Sequence, residues 1–541
     1  MTFLLLILTM SIPVVVSIFS GRGLIHYFQL VSYQFPGYFR TLRRNPLRAF
    51  MPGVCTMLVS AVLFYINKFL FNKLNSLNLV LGIFLGILLL IITVAVCIIF
   101  GSIIERTFSE KKSKKPLVFT ARLKRLYVVD TITLCLISYF IVLSNSTIFI
   151  IAWPILLPFT LGLGGLLAWP IEKLISEFYF RDARKKLLSN PNLIKIGITG
   201  SFGKTSVKYI LGALLSEKYP TLITPTSINT PMGVTRIIRD RLRPSHKIFV
   251  AEMGARHVGD IKEMCRLVNP NIGILTSVAP QHLDTFHTIE RIQKTKYELI
   301  QALPKTSGHA YFANDNGIVQ KLYQQTSGEK SIVGFNDNND CWAANISVSS
   351  KGSTFELHTK SKGSIICQTK LLGEHSIQNI VLASCVALDL GLTLKQVAKG
   401  IQQLTPVQHR LELISNENSF TIIDDAYNSN PVGAKAALKV LSSFEKRRII
   451  ITPGMVELGK NEKEFNKEFG KAMKDCVDIA IIIGKKRVLP IIEGMKEVGF
   501  SDDAIFQVDS LAESTTLLHQ FVLPTDTVLY ENDLPDHYQE V

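Results

Sequence analysis

The hydrophobic positions of the chain are concentrated in its first third. Before residue 171, five long apolar stretches alternate with short polar segments. An α-helix needs about 20 mostly apolar residues to cross a bilayer, because lipid offers its backbone no hydrogen-bond partners. The pattern therefore predicts an α-helical membrane domain with about five transmembrane helices over residues 1–170. The apolar stretches lie near residues 3–19, 51–67, 77–104, 126–143 and 147–170.

The pattern changes after residue 171. Residues 171–189 mix charged and apolar positions and predict an amphipathic linker. From residue 190 onward, short apolar runs of strand length alternate with segments of helical periodicity, which is typical of an α/β fold with parallel strands. The expected fold class is therefore an α-helical membrane domain followed by α/β domains.

Basic residues give the predicted membrane domain an orientation. The polar segments 21–50 and 105–125 hold thirteen Lys and Arg residues, whereas residues 68–76 and 144–146 hold two, Lys68 and Lys73. Basic loops stay on the cytoplasmic side of a membrane. We therefore expect the N-terminus outside, the chain after residue 171 in the cytoplasm, and a multi-pass protein of a bacterial-type inner membrane.

The net charge of +16 does not indicate nucleic-acid binding. Residues 1–190 account for +14 of it, so the excess lies near the predicted helices, where it orients them and attracts anionic membrane lipids. A pocket for an acidic lipid headgroup is the alternative. The eight cysteines contain no C-x-x-C pair, which argues against a zinc site or a disulfide framework and favours a reducing compartment.

A glycine-rich turn follows the first predicted strand of the α/β part. Leu193–Thr199 is an apolar run, Gly200-Ser201-Phe202-Gly203-Lys204-Thr205-Ser206 follows it, and a helical pattern comes next. A strand, a tight turn and a helix start form a cradle of backbone N–H groups for phosphate oxygens. We expect Lys204 to reach the β- and γ-phosphates of ATP and Thr205 to hold Mg²⁺. The usual G-x-x-x-x-G-K-[ST] pattern is not met, because Ile198 occupies the position of its first glycine, and a chance glycine-rich turn is the alternative.

Two further polar residues follow predicted strands. The run Lys247–Ala251 leads into Glu252, and the run Ile272–Thr276 leads into a loop that contains His282. Alone, each would more often be a structural residue. Behind a phosphate loop, after parallel strands, they become candidate ligands of a second metal ion. Lys296 lies in a segment of helical pattern, where a solvent-exposed lysine is the simplest interpretation.

These motifs, in this order, resemble the Mur ligase family, whose members are ATP-dependent enzymes that form amide bonds in peptidoglycan precursors. The resemblance extends over about residues 190–520 and is most specific at Asp424–Pro431, which reads D-D-A-Y-N-S-N-P. That string is similar to the corresponding segment of the family branch whose members add D-alanyl-D-alanine. The resemblance implies a Mur ligase central P-loop ATPase domain over residues 190–405 and a C-terminal Rossmann-like domain over residues 406–541.

The resemblance also implies roles for individual residues. ATP and two Mg²⁺ ions are the implied cofactors, and Lys296 would react with CO₂ to form a carbamate. The implied catalytic residues are Lys204, Glu252, His282 and Lys296, and the implied metal ligands are Thr205, Glu252, His282 and Lys296. The implied ATP-contacting residues are Gly200, Ser201, Gly203, Lys204, Thr205, Ser206, Asn314, Arg410 and Asp425. The implied substrate-contacting residues are Asn229, Gly233, Tyr427 and Asn428.

The chain departs from the family at several points. The small N-terminal domain that holds the UDP-sugar has no counterpart, since the predicted membrane helices occupy its place. Ser277 stands where an Asn is usual, and Gln281 stands where an acidic or small residue precedes the His. The segment Tyr530–Asp536 replaces an expected Lys-Gly-Ser-Arg segment. These changes bear on the identity of the substrate rather than on the ATP chemistry.

We therefore expect a membrane-anchored, ATP-dependent amide (peptide) ligase that activates a carboxylate as an acyl phosphate and releases ADP and phosphate. The acid is expected to be a peptidoglycan-precursor-like or other carboxylate, linked to lipid or arriving at the membrane surface. The amine is expected to be an amino acid or a dipeptide such as D-alanyl-D-alanine. A membrane-bound poly-amino-acid ligase of the capsule type, an ATP-driven transporter and an inactive scaffold are the alternatives.

Overall fold

The computed structural model describes residues 2–31, 33–74, 79–109, 116–144, 146–226, 228–315, 317–349, 352–414, 420–427 and 429–534. The chain divides into two compact units, Met1–Glu177 and Phe178–Val541. The first unit is helical in its described residues, and the second combines helices with two β-sheets.

The helices of the first unit follow the apolar stretches of the sequence. Four helices are long and apolar enough to cross a membrane, and a bent pair over Leu4–Leu30 would make a fifth. Many of their apolar side chains are exposed, such as Val80 and Phe84, which suits a lipid-facing surface better than a water-facing one. The helices are α1 (Thr2–Ser20), α2 (Arg22–Leu30), α3 (Phe35–Arg44), α4 (Pro46–Leu74), α5 (Leu79–Phe108), α6 (Ala121–Leu143), α7 (Thr147–Ala152) and α8 (Leu157–Leu188).

Some polar side chains inside this unit are hydrogen bonded between neighbouring helices. Thr93 on α5 donates a hydrogen bond of 2.9 Å to Asn67 Oδ1 on α4. Ser20 and Thr56 share another hydrogen bond of 2.9 Å between α1 and α4. Such pairs matter where water is excluded, because an unsatisfied buried polar group is costly.

The segment 171–188, expected from the sequence to be a linker, is the continuation of α8. Its residues Phe180, Ala183 and Leu187 are buried and belong to a hydrophobic core of the second unit. Their spacing of three and four residues puts them on one face of the helix. The amphipathic pattern thus reflects packing against protein at residues 180–187.

The first sheet of the second unit has nine strands in the order β2-β3-β1-β4-β5-β6-β7-β8-β9. The pairs from β2 to β7 are parallel, and β7, β8 and β9 pair antiparallel. The strands are β1 (Ile194–Thr199), β2 (Thr221–Ile223), β3 (Ile248–Glu252), β4 (Ile272–Leu275), β5 (His309–Ala313), β6 (Glu329–Gly334), β7 (Cys341–Ser349), β8 (Gly352–Thr359) and β9 (Gly363–Thr369).

Helices cover both faces of this sheet, so its central strands are almost entirely apolar. Ile196 and Ile198 of β1 pack with the helices that follow the phosphate loop and the last strand of the sheet. Phe249 and Ala251 of β3 pack in the core on the other face. The helices are α9 (Lys204–Ser216), α10 (Pro231–Arg241), α11 (Asp260–Val268), α12 (Leu283–Phe286), α13 (Ile289–Gln301), α14 (Ile318–Gln325), α15 (Glu374–Asp389) and α16 (Leu394–Gln402).

The second sheet has six strands in the order β10-β11-β15-β12-β13-β14, and all of its pairs are parallel except β10 with β11. The alternation of strands and helices confirms the α/β fold expected for this part of the chain. The domain boundaries 190–405 and 406–541 stay predictions. The elements are β10 (Glu412–Ile414), β11 (Thr421–Asp425), α17 (Pro431–Leu441), β12 (Arg448–Thr452), α18 (Glu462–Ala472), β13 (Ile479–Ile483), α19 (Leu489–Glu497), β14 (Ile505–Val508), α20 (Leu511–Phe521) and β15 (Thr527–Glu531).

Candidate active site

The glycine-rich turn connects β1 directly to α9, which begins at Lys204. Gly203 has a φ of 80°, and a Cβ added to it would lie 2.7 Å from Asn379 Oδ1. A Cβ on Gly200 would lie 2.0 Å from Thr276 Oγ1. Only glycine fits these two positions, and the turn leaves the N-terminus of α9 open for an anion.

The turn is fixed by hydrogen bonds with the segment that follows β4. Ser201 Oγ donates to Ala279 O at 2.8 Å and accepts from Ala279 N at 2.9 Å. Ser277 Oγ accepts from Phe202 N at 2.8 Å and donates to Phe202 O at 3.0 Å. In the sequence, Ser277 was only a departure from the family pattern. Its two hydrogen bonds to the Phe202 backbone stabilise the turn. The side chain of Ser201 supports the turn, and Ser206 lies in the first turn of α9.

Lys204 bends back over its own turn. Its Nζ donates to Gly200 O at 2.7 Å and to Ser201 O at 3.2 Å. Burial lowers the pKa of Lys204 to about 8; the charge of Glu252 opposes this effect, and that of Arg410 adds to it. A phosphate would strengthen the charged form of this lysine, because an opposite charge nearby favours ionisation.

Glu252 ends β3 beside the phosphate loop, and its side chain is 2% exposed. Its Oε2 accepts hydrogen bonds from Thr205 Oγ1 at 3.0 Å and from Lys208 Nζ at 2.9 Å, and its Oε1 accepts from Asn229 Nδ2 at 3.2 Å. Burial alone would raise the pKa of Glu252. The charges of Lys208 and Lys204, with hydrogen bonds from Lys208 and Asn229, outweigh burial and lower it.

Of the predicted substrate-contacting residues, Asn229 is thus a direct partner of Glu252. Its amide also fills the space beside Gly254, where a Cβ would lie 2.8 Å from Asn229 Cγ. Gly233 lies in the first turn of α10, and its N–H donates to Thr230 Oγ1 at 3.4 Å. Asn428 lies outside the described residues.

His282 precedes α12 with a φ of 53°, and its Nδ1 is hydrogen bonded to Glu457 Oε2. Glu457 also lies 3.5 Å from the Arg256 guanidinium. Burial lowers the pKa of His282, while the hydrogen bond and the charge of Glu457 oppose that effect. Sequence reasoning gave no role to Glu457, although it lies in the string Gly454–Gly459 between two glycines with positive φ.

Lys296 lies on α13 and is 4% exposed, so it is not the solvent-exposed lysine that its helical context alone suggested. Burial holds its pKa well below the ordinary value, and the charge of Lys204 lowers it further. Lys204 also lowers the pKa of His282. Both side chains therefore lie within electrostatic reach of the phosphate-loop lysine.

The second sheet contributes a separate group of charges at the carboxyl end of its strands. The Arg410 guanidinium lies 4.3 Å from the centre of the Tyr427 ring. Asp425 ends β11 and accepts a hydrogen bond from Leu411 N at 3.3 Å. Burial, together with the charge of Glu531, raises the pKa of Asp425 to about 8, against the effect of Arg410.

Glu531 ends β15 directly beside Asp425 in the parallel ladder. It is 1% exposed, and it accepts hydrogen bonds from the hydroxyls of Ser429 and of Thr452, the latter at 2.9 Å. Burial raises its pKa to about 7. Asn314, expected to contact ATP, donates a hydrogen bond from its side-chain amide to Asn339 Oδ1 at 3.0 Å.

The residues at the phosphate loop fit a magnesium ion that is bound together with phosphate. Thr205 and Glu252 present neighbouring oxygen atoms, which are the ligands that Mg²⁺ prefers. Within the described residues, no group of three His, Cys, Asp or Glu side chains could hold a metal ion by itself. Oxygen atoms of a nucleotide or of water would have to complete the coordination.

Comparisons with known proteins match two segments of the second unit. Residues 198–387 match the Mur ligase middle domain, and residues 409–530 match the Mur ligase, glutamate ligase domain. The UDP-N-acetylmuramoyl-tripeptide–D-alanyl-D-alanine ligases of Buchnera aphidicola and Escherichia coli are each 31% identical to the chain, over 297 and 295 residues. These matches cover 54% of this chain and 64% of each relative.

Solved structures give the same relationship. MurF from Acinetobacter baumannii matches with a TM-score of 0.60 and 25% identity, covering 67% of this chain and 78% of that protein. MurF from Thermotoga maritima, solved in complex with ADP, matches with a TM-score of 0.60 and 25% identity, covering 66% of this chain and 80% of that protein. The two matched domains together span more than half of the sequence, and the chain belongs to the Mur ligase family.

Proposed function

We propose that this protein is a membrane-anchored, ATP-dependent ligase that joins a carboxylate to an amine through an amide bond. The observation that carries the proposal is the phosphate loop itself, where Thr205 donates a hydrogen bond of 3.0 Å to Glu252 at the end of β3. The charge of Lys204 on this loop also acts on Glu252, His282 and Lys296. The similarity to D-alanyl-D-alanine ligases supports the same reaction class.

The reaction has two balanced steps. The substrate carboxylate attacks the γ-phosphorus of ATP, the bond to the bridging oxygen breaks, and an acyl phosphate and ADP result. The amine then attacks the acyl carbon, phosphate leaves, and the amine loses a proton as the amide forms. Lys204 and Arg410 supply positive charge to the phosphates, which is the main contribution a protein makes to phosphoryl transfer.

Thr205 and Glu252 are the proposed ligands of one Mg²⁺ ion, and Glu252, His282 and a carbamylated Lys296 are those of a second. Bound there, Mg²⁺ would neutralise charge on the phosphate oxygens. Carbamate formation would need an unprotonated amine, the form that the lowered pKa of the buried Lys296 favours. Glu457 fixes which ring nitrogen of His282 is left for a ligand.

The amine is proposed to be an amino acid or a dipeptide such as D-alanyl-D-alanine, and the acid a peptidoglycan-precursor-like carboxylate. Asn229, Gly233, Tyr427 and Asn428 are the proposed substrate contacts. The matched domains begin at residue 198, and the first unit holds four or five helices apolar enough to cross a membrane. A lipid-linked acid, met at the cytoplasmic face of a bacterial-type membrane, is therefore the proposed substrate.

The test uses the full-length protein in lipid nanodiscs with ATP and Mg²⁺. A matrix of acids, soluble and lipid-linked, is combined with amino acids and dipeptides, and ADP and new amides are followed by mass spectrometry. We expect repeated turnover to ADP only when a matching acid and amine are both present, and no turnover by Lys204→Ala. Repeated ADP turnover that needs no amine would refute the ligase assignment, and a ladder of product masses would indicate a poly-amino-acid ligase.

A further inference from the structure

Lys208 is a buried lysine for which the proposed reaction has no use. It lies on α9 three residues after Thr205, and its side chain is 0% exposed. Its Nζ donates to Glu252 Oε2 at 2.9 Å and to Pro225 O at 3.2 Å. Residues three apart on a helix share a face, so Thr205 and Lys208 reach the same carboxylate oxygen.

This contact neutralises the carboxylate of the candidate metal site. Glu252 is the carboxylate in contact with Thr205, and both Lys208 and Lys204 act on its charge. The described residues offer no set of three acidic or histidine side chains that could hold a metal ion alone. A free divalent cation would therefore meet an ion-paired carboxylate next to a second lysine, where Coulomb repulsion offsets its attraction to Glu252.

A bound nucleotide changes the balance between repulsion and attraction that a divalent cation meets at Glu252. Its phosphates bring several negative charges to the loop, and Lys204 would turn from its own backbone towards them. The cation then meets phosphate oxygens in addition to Glu252 and Thr205, which is the way in which proteins usually hold Mg²⁺ with nucleotides.

We infer that Lys208 is a positioning residue that holds Glu252 oriented and charge-neutralised, so that a divalent cation binds together with the nucleotide and not before it. The inference rests on the proposed nucleotide site and adds a control of cation binding to it. Lys208 does not touch the reacting atoms; it acts through Glu252.

The test measures Mn²⁺ binding to the full-length protein by electron paramagnetic resonance, first without nucleotide and then with saturating ADP. Wild-type protein should bind Mn²⁺ at least tenfold more weakly without ADP than with it. Lys208→Met should tighten nucleotide-free binding at least tenfold, whereas Lys208→Arg, which keeps the charge, should stay within about threefold of wild type. Adding Glu252→Gln to Lys208→Met should abolish the gain, because the gain passes through that carboxylate.

Equal Mn²⁺ affinity in wild type and Lys208→Met would overturn the inference, as would nucleotide-free wild type that binds Mn²⁺ as tightly as the ADP complex. Should Lys208→Met not fold, Lys208→Gln removes the same charge and can still donate to Pro225 O. Calorimetry of ADP binding separates a failure of the proposed function from a failure of the role of Lys208. If the protein does not bind ADP, the proposed function is refuted. If it binds ADP normally but the variants show unchanged Mn²⁺ affinity, only the role of Lys208 is refuted.

Discussion

Glu531 should make the stability of the second sheet depend on pH, and Glu531→Gln should remove the part of that dependence that comes from this carboxyl group. The carboxyl group is buried between the hydroxyls of Ser429 and Thr452 and lies beside Asp425. Burial raises the pKa of Glu531 from 4.5 to about 7. The folded chain therefore binds a proton more tightly than the unfolded chain does.

The sign follows from proton linkage. A group whose pKa is raised on folding contributes stability that is fully present below its unfolded pKa and is lost as the pH rises through its folded pKa. For Glu531 the loss extends from about pH 4.5 to about pH 7. The difference between those values corresponds to roughly 3 kcal/mol, or about 300-fold in an opening equilibrium once the whole window is crossed. Asp425, whose pKa is raised to about 8, extends the decline to higher pH.

Hydrogen exchange followed by mass spectrometry measures this locally, on peptides that cover β11 and β15. Wild type and Glu531→Gln are compared at each pH, so that the intrinsic pH dependence of exchange cancels. We expect the ratio of their opening constants to change about 100-fold between roughly pH 4.5 and pH 8 in favour of the variant. Glu493→Gln, at a carboxylate that is 60% exposed on α19, is the matched control. A ratio that does not change with pH would show that burial does not raise the pKa of Glu531.

Three other contacts give measurable expectations. Glu457→Gln should weaken Mn²⁺ binding to the ADP complex about 10- to 100-fold, because the His282 ring would be held less firmly. An unchanged Mn²⁺ affinity, measured by electron paramagnetic resonance, would contradict this orienting role of Glu457. Gly203→Ala should weaken ADP binding about tenfold in calorimetry, since the residue has a φ of 80° and the new Cβ would lie 2.7 Å from Asn379 Oδ1. Thr93→Val should lower the unfolding free energy of the helical unit by about 1 kcal/mol, measured in detergent, with Thr93→Ser close to wild type.

The parts of the site that sequence could predict are those fixed by local pattern. The glycines before Lys204 and the polar residue at the end of a buried strand, Glu252, follow from strand–turn–helix order and from the meeting of parallel strands at one edge of a sheet. The α/β fold follows from the same alternation. The apolar stretches likewise predicted the helices of the first unit.

The parts that sequence could not predict depend on distant packing. Nothing local distinguishes Lys208 from an exposed helical lysine, and its burial depends on strand β3 and on the backbone near Pro225. Glu457 reaches His282 from 175 residues away along the chain. The amphipathic pattern at residues 180–187 fits a membrane surface and a protein core equally well, and only the fold shows that its apolar face meets protein.

The reciprocal hydrogen bonds between Ser201 and Ala279, and between Ser277 and Phe202, hold the glycine-rich turn in shape without help from any ligand. Such preorganisation lowers the entropic cost of association. A small diphosphate mimic should thus dock without reshaping the backbone of the turn, and only the Lys204 side chain should move towards it. Potency differences among such inhibitors would then reflect their contacts with groups of the second sheet, such as Arg410.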